Sequence, residues 1–218
     1  MRPMTQRRRT RPGLTPASVV AAGRRVIERD GLDALSMRTV AAELGTAATS
    51  LYRHVDGREA LLVAILEQVA EGLPVAVPGE DPAARLLARF SGAHDYMADH
   101  IWVLHILIRG ELVAQNAFFF ADACVADFLA AGLSATEAMA AFRSCWYLVL
   151  GELLAEHPLR PVTHPTQRER LAEGIDAGRF PALARYRAET GGGPAPVDAS
   201  HHALRALLSA LIPNGARR

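Results

Sequence analysis

The chain has 218 residues, of which half are hydrophobic and 22% are charged, and its formal net charge is +1. This composition is typical of a globular protein with a sizeable core and excludes an intrinsically disordered chain. The longest apolar stretches, near residues 102–108 and 145–150, fall well short of the roughly 18 residues that cross a bilayer. The arginine-rich start is not followed by the apolar segment of a secretory signal. We therefore expect a cytoplasmic protein with no membrane partner.

The small net charge hides an uneven distribution along the chain. Residues 1–56 contain ten arginines and five acidic residues, whereas residues 57–218 contain fourteen arginines and eighteen acidic residues. A basic N-terminal quarter on a mildly acidic body is typical of a nucleic-acid-binding module joined to a domain with a different task. The alternative is that these arginines are only solvated surface.

Helix signals dominate the sequence, and segments that alternate apolar with polar residues are almost absent, so we expect an all-α protein. Residues 1–13 are interpreted as a basic N-terminal arm, residues 14–70 as a helix-turn-helix domain of four short helices, and residues 71–218 as a helical bundle. Thr15, followed by Pro16, is expected to cap the first helix, and Ser36 the second.

Two further caps are predicted in the first domain. Thr46 is expected to cap a very short third helix that runs to about His54, with Leu51 as its core residue. Asp56 is expected to open the fourth helix through a capping box with Glu59. The fourth helix should bury one apolar face, made of Leu61, Leu62, Ile65, Leu66 and Val69.

The outer face of the third helix consists of small or polar residues, namely Ala47, Ala48, Thr49, Ser50 and Arg53. Small side chains let a helix backbone come close to another surface, and hydroxyl and guanidinium groups reach phosphates and base edges. These are the requirements of a helix that lies in the major groove of DNA. The alternative is an ordinary short surface helix.

Residues 31–45 (GLDALSMRTVAAELG), 50–55 (SLYRHV) and 58–62 (REALL) together resemble the DNA-binding domain of the tetracycline-repressor (TetR) family of bacterial regulators. The resemblance covers about a quarter of the chain. It implies base contacts from Arg38, Ala48, Thr49 and Arg53, and backbone contacts from Ser36, Thr39, Ser50, Tyr52, His54 and Arg58. Because Ala48 and Thr49 are small, we expect few direct base hydrogen bonds from this helix and more reliance on Arg38, Arg53 and DNA shape.

Seven helices are expected in the body, at about residues 82–98, 100–109, 111–131, 134–156, 165–178, 181–189 and 197–211. The helices at 134–156 and 197–211 carry more apolar surface than a monomer needs. TetR-like proteins pair two such helices with their symmetry mates, which implies a homodimer whose two helix-turn-helix modules read a palindromic operator in double-stranded DNA. The alternative is that both helices lie entirely inside one protomer.

The middle of the body combines large rings with polar side chains, a pattern typical of a small-molecule pocket between bundle helices. The residues expected to line it are His94, Met97, Trp102, His105, Arg109, Asn116, Phe119, Phe120, Phe142 and Trp146.

We find no nucleophile–base motif, phosphate loop or metal-ligand spacing, so no catalytic residue, cofactor or metal is expected. The prediction is a ligand-responsive transcriptional regulator, a repressor released from its operator by a small and largely apolar effector. The alternatives are a helical regulator without a physiological small-molecule ligand, and an all-α enzyme or ligand carrier.

Overall fold

The computed structural model describes residues 14–108, 112–156, 166–190 and 199–212, and every regular element within these ranges is a helix. The predicted all-α class is confirmed. The chain divides into two compact units. Unit 1 contains the described residues up to Glu71 together with residues 112–116, and unit 2 contains the remaining described residues. The sequence had placed residues 112–116 in the C-terminal bundle.

The helices of unit 1 are α1 (Pro16–Asp30), α2 (Met37–Leu44), α3 (Ala48–Leu51) and α4 (Arg58–Ala70), with a 3-10 turn at Leu32–Ala34. Helix α1 begins as predicted: the Ser18 N–H donates to Thr15 Oγ1 at 3.1 Å, and the Thr15 N–H donates to Ser18 Oγ at 2.9 Å. Pro16 takes the first helical position, where its missing N–H costs nothing. The buried stripe of α1 packs against α2 and α4.

Helix α2 is capped by Ser36, as predicted, and Gly45 ends it in the left-handed conformation with φ of 63°. The N–H of Thr46 donates to the carbonyl of Ala41 at 2.9 Å, so Thr46 still belongs to the closing turn of α2. The predicted cap at Thr46 is therefore wrong, because α3 begins only after Ala47, which makes no side-chain cap.

Helix α3 is also shorter than predicted, because it ends at Leu51 and the chain continues as a turn through residue 54. In this turn the N–H groups of His54 and Val55 both donate to the carbonyl of Leu51. The Leu51 side chain is fully buried, as expected, and anchors the helix and the turn to the core of unit 1.

Helix α4 begins at Arg58 behind Gly57, whose φ of 101° is strained for any other residue. Asp56 therefore precedes the cap position, and the predicted capping box with Glu59 is not formed. The apolar face of α4 is buried as predicted, with Leu61 and Ile65 fully enclosed.

The helices of unit 2 are α5 (Pro82–Ala98), α6 (Trp102–Leu107), α7 (Ala117–Ala130), α8 (Ala135–Glu156), α9 (Gln167–Glu173), α10 (Pro181–Thr190) and α11 (Ala199–Leu211). Helices α6, α7 and α9 are shorter than the predicted 100–109, 111–131 and 165–178. The others agree with the prediction to within two residues. Helix α5 is central, since it packs against α7, α8 and α11.

The core of unit 2 is rich in aromatic rings and also contains a buried ion-pair cluster. Asp127 on α7 accepts from Arg85 Nε at 2.9 Å and from the Arg89 guanidinium, and its side chain is only 8% exposed. The hydrogen bonds to Asp127 raise the pKa of Arg85. Arg89 also donates to the carbonyl of Val75 at 3.0 Å, so this cluster fixes the segment before α5 as well as joining α5 to α7.

Candidate nucleic-acid interface

The described arginines of unit 1 fall into two groups, those engaged by acidic side chains or backbone carbonyls and those left free. Glu43 on α2 accepts from Arg25 at 3.1 Å and from Arg29 at 2.9 Å, which ties α1 to α2. The hydrogen bonds from Arg29 and then Arg25 lower the pKa of Glu43, so this carboxylate stays charged at neutral pH. Arg29 also pairs with Asp30 at 2.8 Å, so two carboxylates balance the two arginines and little net positive charge remains at this surface.

Arg38 and Arg53 form the second group. Both are exposed, and neither has an ion pair or hydrogen bond to any residue that the structure describes. Arg38 lies in the first turn of α2, and Arg53 lies in the turn that follows α3. Arg38 and Arg53 thus place free positive charge on α2 and in the turn after α3, where a nucleic-acid backbone would find unneutralised cations.

The surface around Arg53 is formed by α3 and the turn after it. Thr49 and Tyr52 are exposed, with 55% of Tyr52 accessible, whereas Ala48, Ser50 and His54 are half-buried. Only four residues are helical, and the fully buried Leu51 holds them in place. The small side chains at this end leave the backbone of α3 close to the surface. Ala47, which the sequence did not single out as a site residue, is exposed at its start.

Ser36 and Thr39, which the family resemblance assigned to backbone contacts, are engaged with each other. The Thr39 N–H donates to Ser36 Oγ at 3.1 Å, and the Ser36 N–H donates to Thr39 Oγ1 at 2.9 Å. The Thr39 hydroxyl lies 2.8 Å from the carbonyl oxygen of Ala34. Their first role is therefore to form the N-terminus of α2, which sets the direction of Arg38.

Arg58 is likewise engaged within unit 1. Its Nε donates to the carbonyl of Leu35 at 2.9 Å, and its Nη2 lies 3.4 Å from the carbonyl of Leu32. This connects the first residue of α4 to the segment that leads into α2. The resemblance implies a DNA-backbone contact from Arg58, and the observed hydrogen bonds give this residue a second role, which is to position the start of α2.

The residues predicted to line a ligand pocket are distributed unevenly in the structure. Unit 2 buries His94, Met97, Trp102 and Phe120, and half-buries His105, Phe142 and Trp146. Phe119, however, is 65% exposed, because successive residues of a helix point in different directions. Asn116 belongs to unit 1, where its side chain binds α4, and Arg109 lies outside the described residues.

The buried rings form one cluster in which Phe120 contacts Phe90 edge to face at 5.8 Å and Trp146 at 5.7 Å between ring centroids. Phe90 also lies 6.2 Å from Phe142. Phe90, which was not among the residues predicted to line the pocket, is fully buried at the centre of this cluster. Its position one turn before His94 on α5 was a usable signal.

Two polar ring atoms are also buried in unit 2. His94 Nε2 and Trp102 Nε1 are buried, and neither has a hydrogen-bond partner within the described ranges. An unpaired polar group in a core is costly unless something else satisfies it.

In unit 1, the short helices α2 and α3 meet around Gly45, and free arginines lie beside the small side chains of α3. This arrangement defines a helix-turn-helix DNA-binding protein. Residues 19–65 match the family model described as bacterial regulatory proteins, tetR family. The chain is 32% identical over 181 residues to an HTH-type transcriptional regulator of Saccharopolyspora erythraea, a match that covers 81% of this chain and 76% of that protein. The chain therefore belongs to the TetR family, and it is a transcriptional regulator and not an enzyme.

Other relatives agree with this assignment. The HTH-type transcriptional repressor DrrR1 of Streptomyces coeruleorubidus is 28% identical over 200 residues, which cover 84% of this chain and 72% of DrrR1. The fold is similar to the crystal structure of the TetR family protein ActR of Streptomyces coelicolor in complex with actinorhodin. That match has a TM-score of 0.75 at 22% identity and covers 91% of this chain and 95% of ActR.

Proposed function

We propose that this protein is a repressor that binds a palindromic operator as a homodimer and is released from it by a small, largely apolar effector. The observation that carries the proposal is the concentration of unpaired arginines on α2 and after α3, because cations without internal partners are available to DNA. The similarity to the repressor DrrR1 supports repression as the direction of regulation.

Dimerisation is supported by the exposed apolar surface of unit 2. Helix α8 is long and apolar enough to cross a membrane, but only 28% of that stretch is buried in the protomer. Met139 and Tyr147 are exposed on α8, and Leu183 and Tyr186 on α10. The apolar residues exposed on α8 suit an interface in which the same helix of a second copy of the chain covers them. Two modules about 34 Å apart would then read successive half-sites.

The effector proposal rests on the aromatic cluster and the unpaired ring nitrogens of His94 and Trp102. A flat, largely apolar molecule with one or two polar atoms would bury its rings against Phe120 and Trp146 and satisfy those nitrogens. ActR was crystallised with actinorhodin and with (S)-DNPA, which makes these two compounds reasonable first probes. Release requires that the effector bind the DNA-free conformation more tightly than the DNA-bound conformation. The coupling free energy between two such sites is typically about 1–3 kcal/mol.

Gel-shift titration of the promoter upstream of the protein's own gene tests the switch. We expect a retarded band that disappears as an effector from a library of aromatic compounds is added, and a rise in Tm of the free protein with the same compound. The regulator without a physiological ligand remains the second candidate. It is favoured if no compound that raises the Tm loosens the complex.

A further inference from the structure

Two helices that are distant in sequence bring three potential metal ligands together in unit 2. His94 and Asp95 lie near the end of α5, and His201 lies in the first turn of α11. His94 Nδ1 is 3.3 Å from Asp95 Oδ1, and His201 Nε2 is 3.1 Å from the same oxygen. One ligand atom from each of the three residues can be chosen so that all lie within 4.8 Å of one another.

The geometry is close to that of a tetrahedral metal site. Ligand bonds of about 2.0–2.1 Å place tetrahedral ligand atoms about 3.3 Å apart. Both distances to Asp95 agree with this value, and small side-chain rotations would bring the two imidazole nitrogens equally close. The rings of His94 and His201 are inclined at 79°, with centroids 5.9 Å apart, so they approach the carboxylate from different directions. Ligands of a single ion converge in this way.

The chemistry of the three side chains selects the class of ion. Two imidazole nitrogens and one carboxylate oxygen suit Zn²⁺ and its neighbours in the transition series, whereas Mg²⁺ and Ca²⁺ prefer oxygen ligands alone. The His94 side chain is only 11% exposed, and that of Asp95 is 63% exposed. The cluster is thus buried on the side of His94 and open to solvent on the side of Asp95. An ion can enter from the open side, and water can complete its coordination there.

We propose that His94, Asp95 and His201 bind a divalent transition-metal ion of the zinc class, which links α5 to α11. This inference does not depend on the proposed effector. It has one consequence for the core: coordination at Nδ1 leaves the proton of the imidazole on Nε2. The buried Nε2 of His94 would then be a hydrogen-bond donor, as Trp102 Nε1 is.

The test uses the full-length protein without an affinity tag and with Zn²⁺ or Co²⁺ as the only added ligand. Calorimetry with Zn²⁺ at pH 7.5 should give one site per protomer, and Co²⁺ should produce the visible absorption of a tetrahedral complex. His201→Ala and Asp95→Asn should each weaken binding at least about tenfold, because loss of a ligand costs no less than loss of an outer-shell partner. His202→Ala, which changes the exposed neighbour, is the matched control and should bind as the wild type does.

Circular dichroism measures whether each variant is folded. Asp95→Asn keeps the volume of the side chain, so it provides the test if His201→Ala is unstable. Zn²⁺ should also raise the Tm of the wild type but not of Asp95→Asn, because only the wild type has the complete site. Failure of the wild type to bind, or equal affinity in the wild type and Asp95→Asn, overturns the proposal. The three residues would then form only a hydrogen-bonded network in which Asp95 accepts from both imidazoles.

Discussion

Glu67 on α4 holds Asn116 by both its backbone and its side chain. The Asn116 N–H donates to Glu67 Oε2 at 2.8 Å, its carboxamide lies 3.4 Å from the Glu67 carbonyl, and the neighbouring Gln115 N–H donates to Glu67 Oε1 at 2.7 Å. The Asn116 carboxamide also donates to Glu71 at 3.2 Å. The segment that leads into α7 is therefore fastened to the end of α4. Because α4 follows directly from α2 and α3, the proposed release by an effector would use this contact to reach the DNA-binding helices.

Glu67→Gln should loosen this attachment while keeping the size of the side chain. The amide cannot accept at both of its ends, so one of the two backbone hydrogen bonds is lost and the other is no longer charge-assisted. We expect faster hydrogen exchange at residues 112–116, measured by mass spectrometry, and a smaller effector-induced loss of operator affinity. Glu59→Gln on the first turn of α4 is the control. Exchange in this segment as slow as in the wild type would contradict the role of Glu67.

Arg38→Ala and Arg53→Ala should each reduce affinity for the operator by about 10–100-fold and reduce non-specific binding less. The reason is that both guanidinium groups are free to reach base edges. Arg25→Ala is the matched control, because Arg25 is held by Glu43. Fluorescence anisotropy with operator and scrambled duplexes at one salt concentration gives the ratio of specific to non-specific affinity. If that ratio is unchanged in both test variants, the assignment of base contacts is wrong.

Arg58→Ala and His54→Ala should differ in their effects. Loss of the His54 imidazole should reduce the slope of log affinity against log salt by up to about one unit, if it contacts a phosphate. Arg58→Ala should lower the Tm and weaken operator binding with a smaller change in that slope, because its guanidinium binds the carbonyls of Leu35 and Leu32. A full unit of slope lost in Arg58→Ala, with no change in Tm, would show that Arg58 acts through a phosphate contact and not by positioning α2.

Asp127→Asn should destabilise unit 2 strongly. It leaves the buried Arg89 without a counter-charge, and breaking a buried pair in this way typically costs about 3–5 kcal/mol. Urea unfolding followed by circular dichroism measures the loss. Glu189→Gln, which breaks the solvent-exposed pair with Arg185, should have little or no effect. Similar small effects of both substitutions would show that the Asp127 cluster does not support the fold.

Local signals in the sequence predicted much of unit 1. The cap at Thr15, the cap at Ser36 and the buried face of α4 depend on residues within one or two turns of each other, and the structure has all three. The errors at Thr46 and Asp56 arose where two local motifs compete. Thr46 is used by the closing turn of α2, and Gly57 takes the cap position of α4 because it tolerates a positive φ.

Contacts between distant residues could not be predicted in this way. Helical periodicity tells which face of a helix is buried, but not which element covers it. No periodic signal predicts that Asn116 binds Glu67, which is 49 residues away in the sequence. The same is true of His201 and Asp95, which are 106 residues apart. Phe119 and Phe120 were both predicted to line the pocket, but adjacent residues of a helix point in different directions. The packing of unit 2 buries Phe120 and leaves Phe119 exposed.

The proposed function requires that α2, α3 and the turn after α3 bind DNA in a dimer of the protein. Hydroxyl-radical footprinting on the promoter region, with the wild type and the Arg53→Ala variant side by side, measures this binding. We predict that the wild type protects an inverted repeat. The centres of its two half-sites should be separated by about one helical turn of DNA or by a multiple of one turn. The Arg53→Ala variant should give a much fainter pattern. A single protected half-site, no protection, or an equally strong footprint from the variant would contradict it.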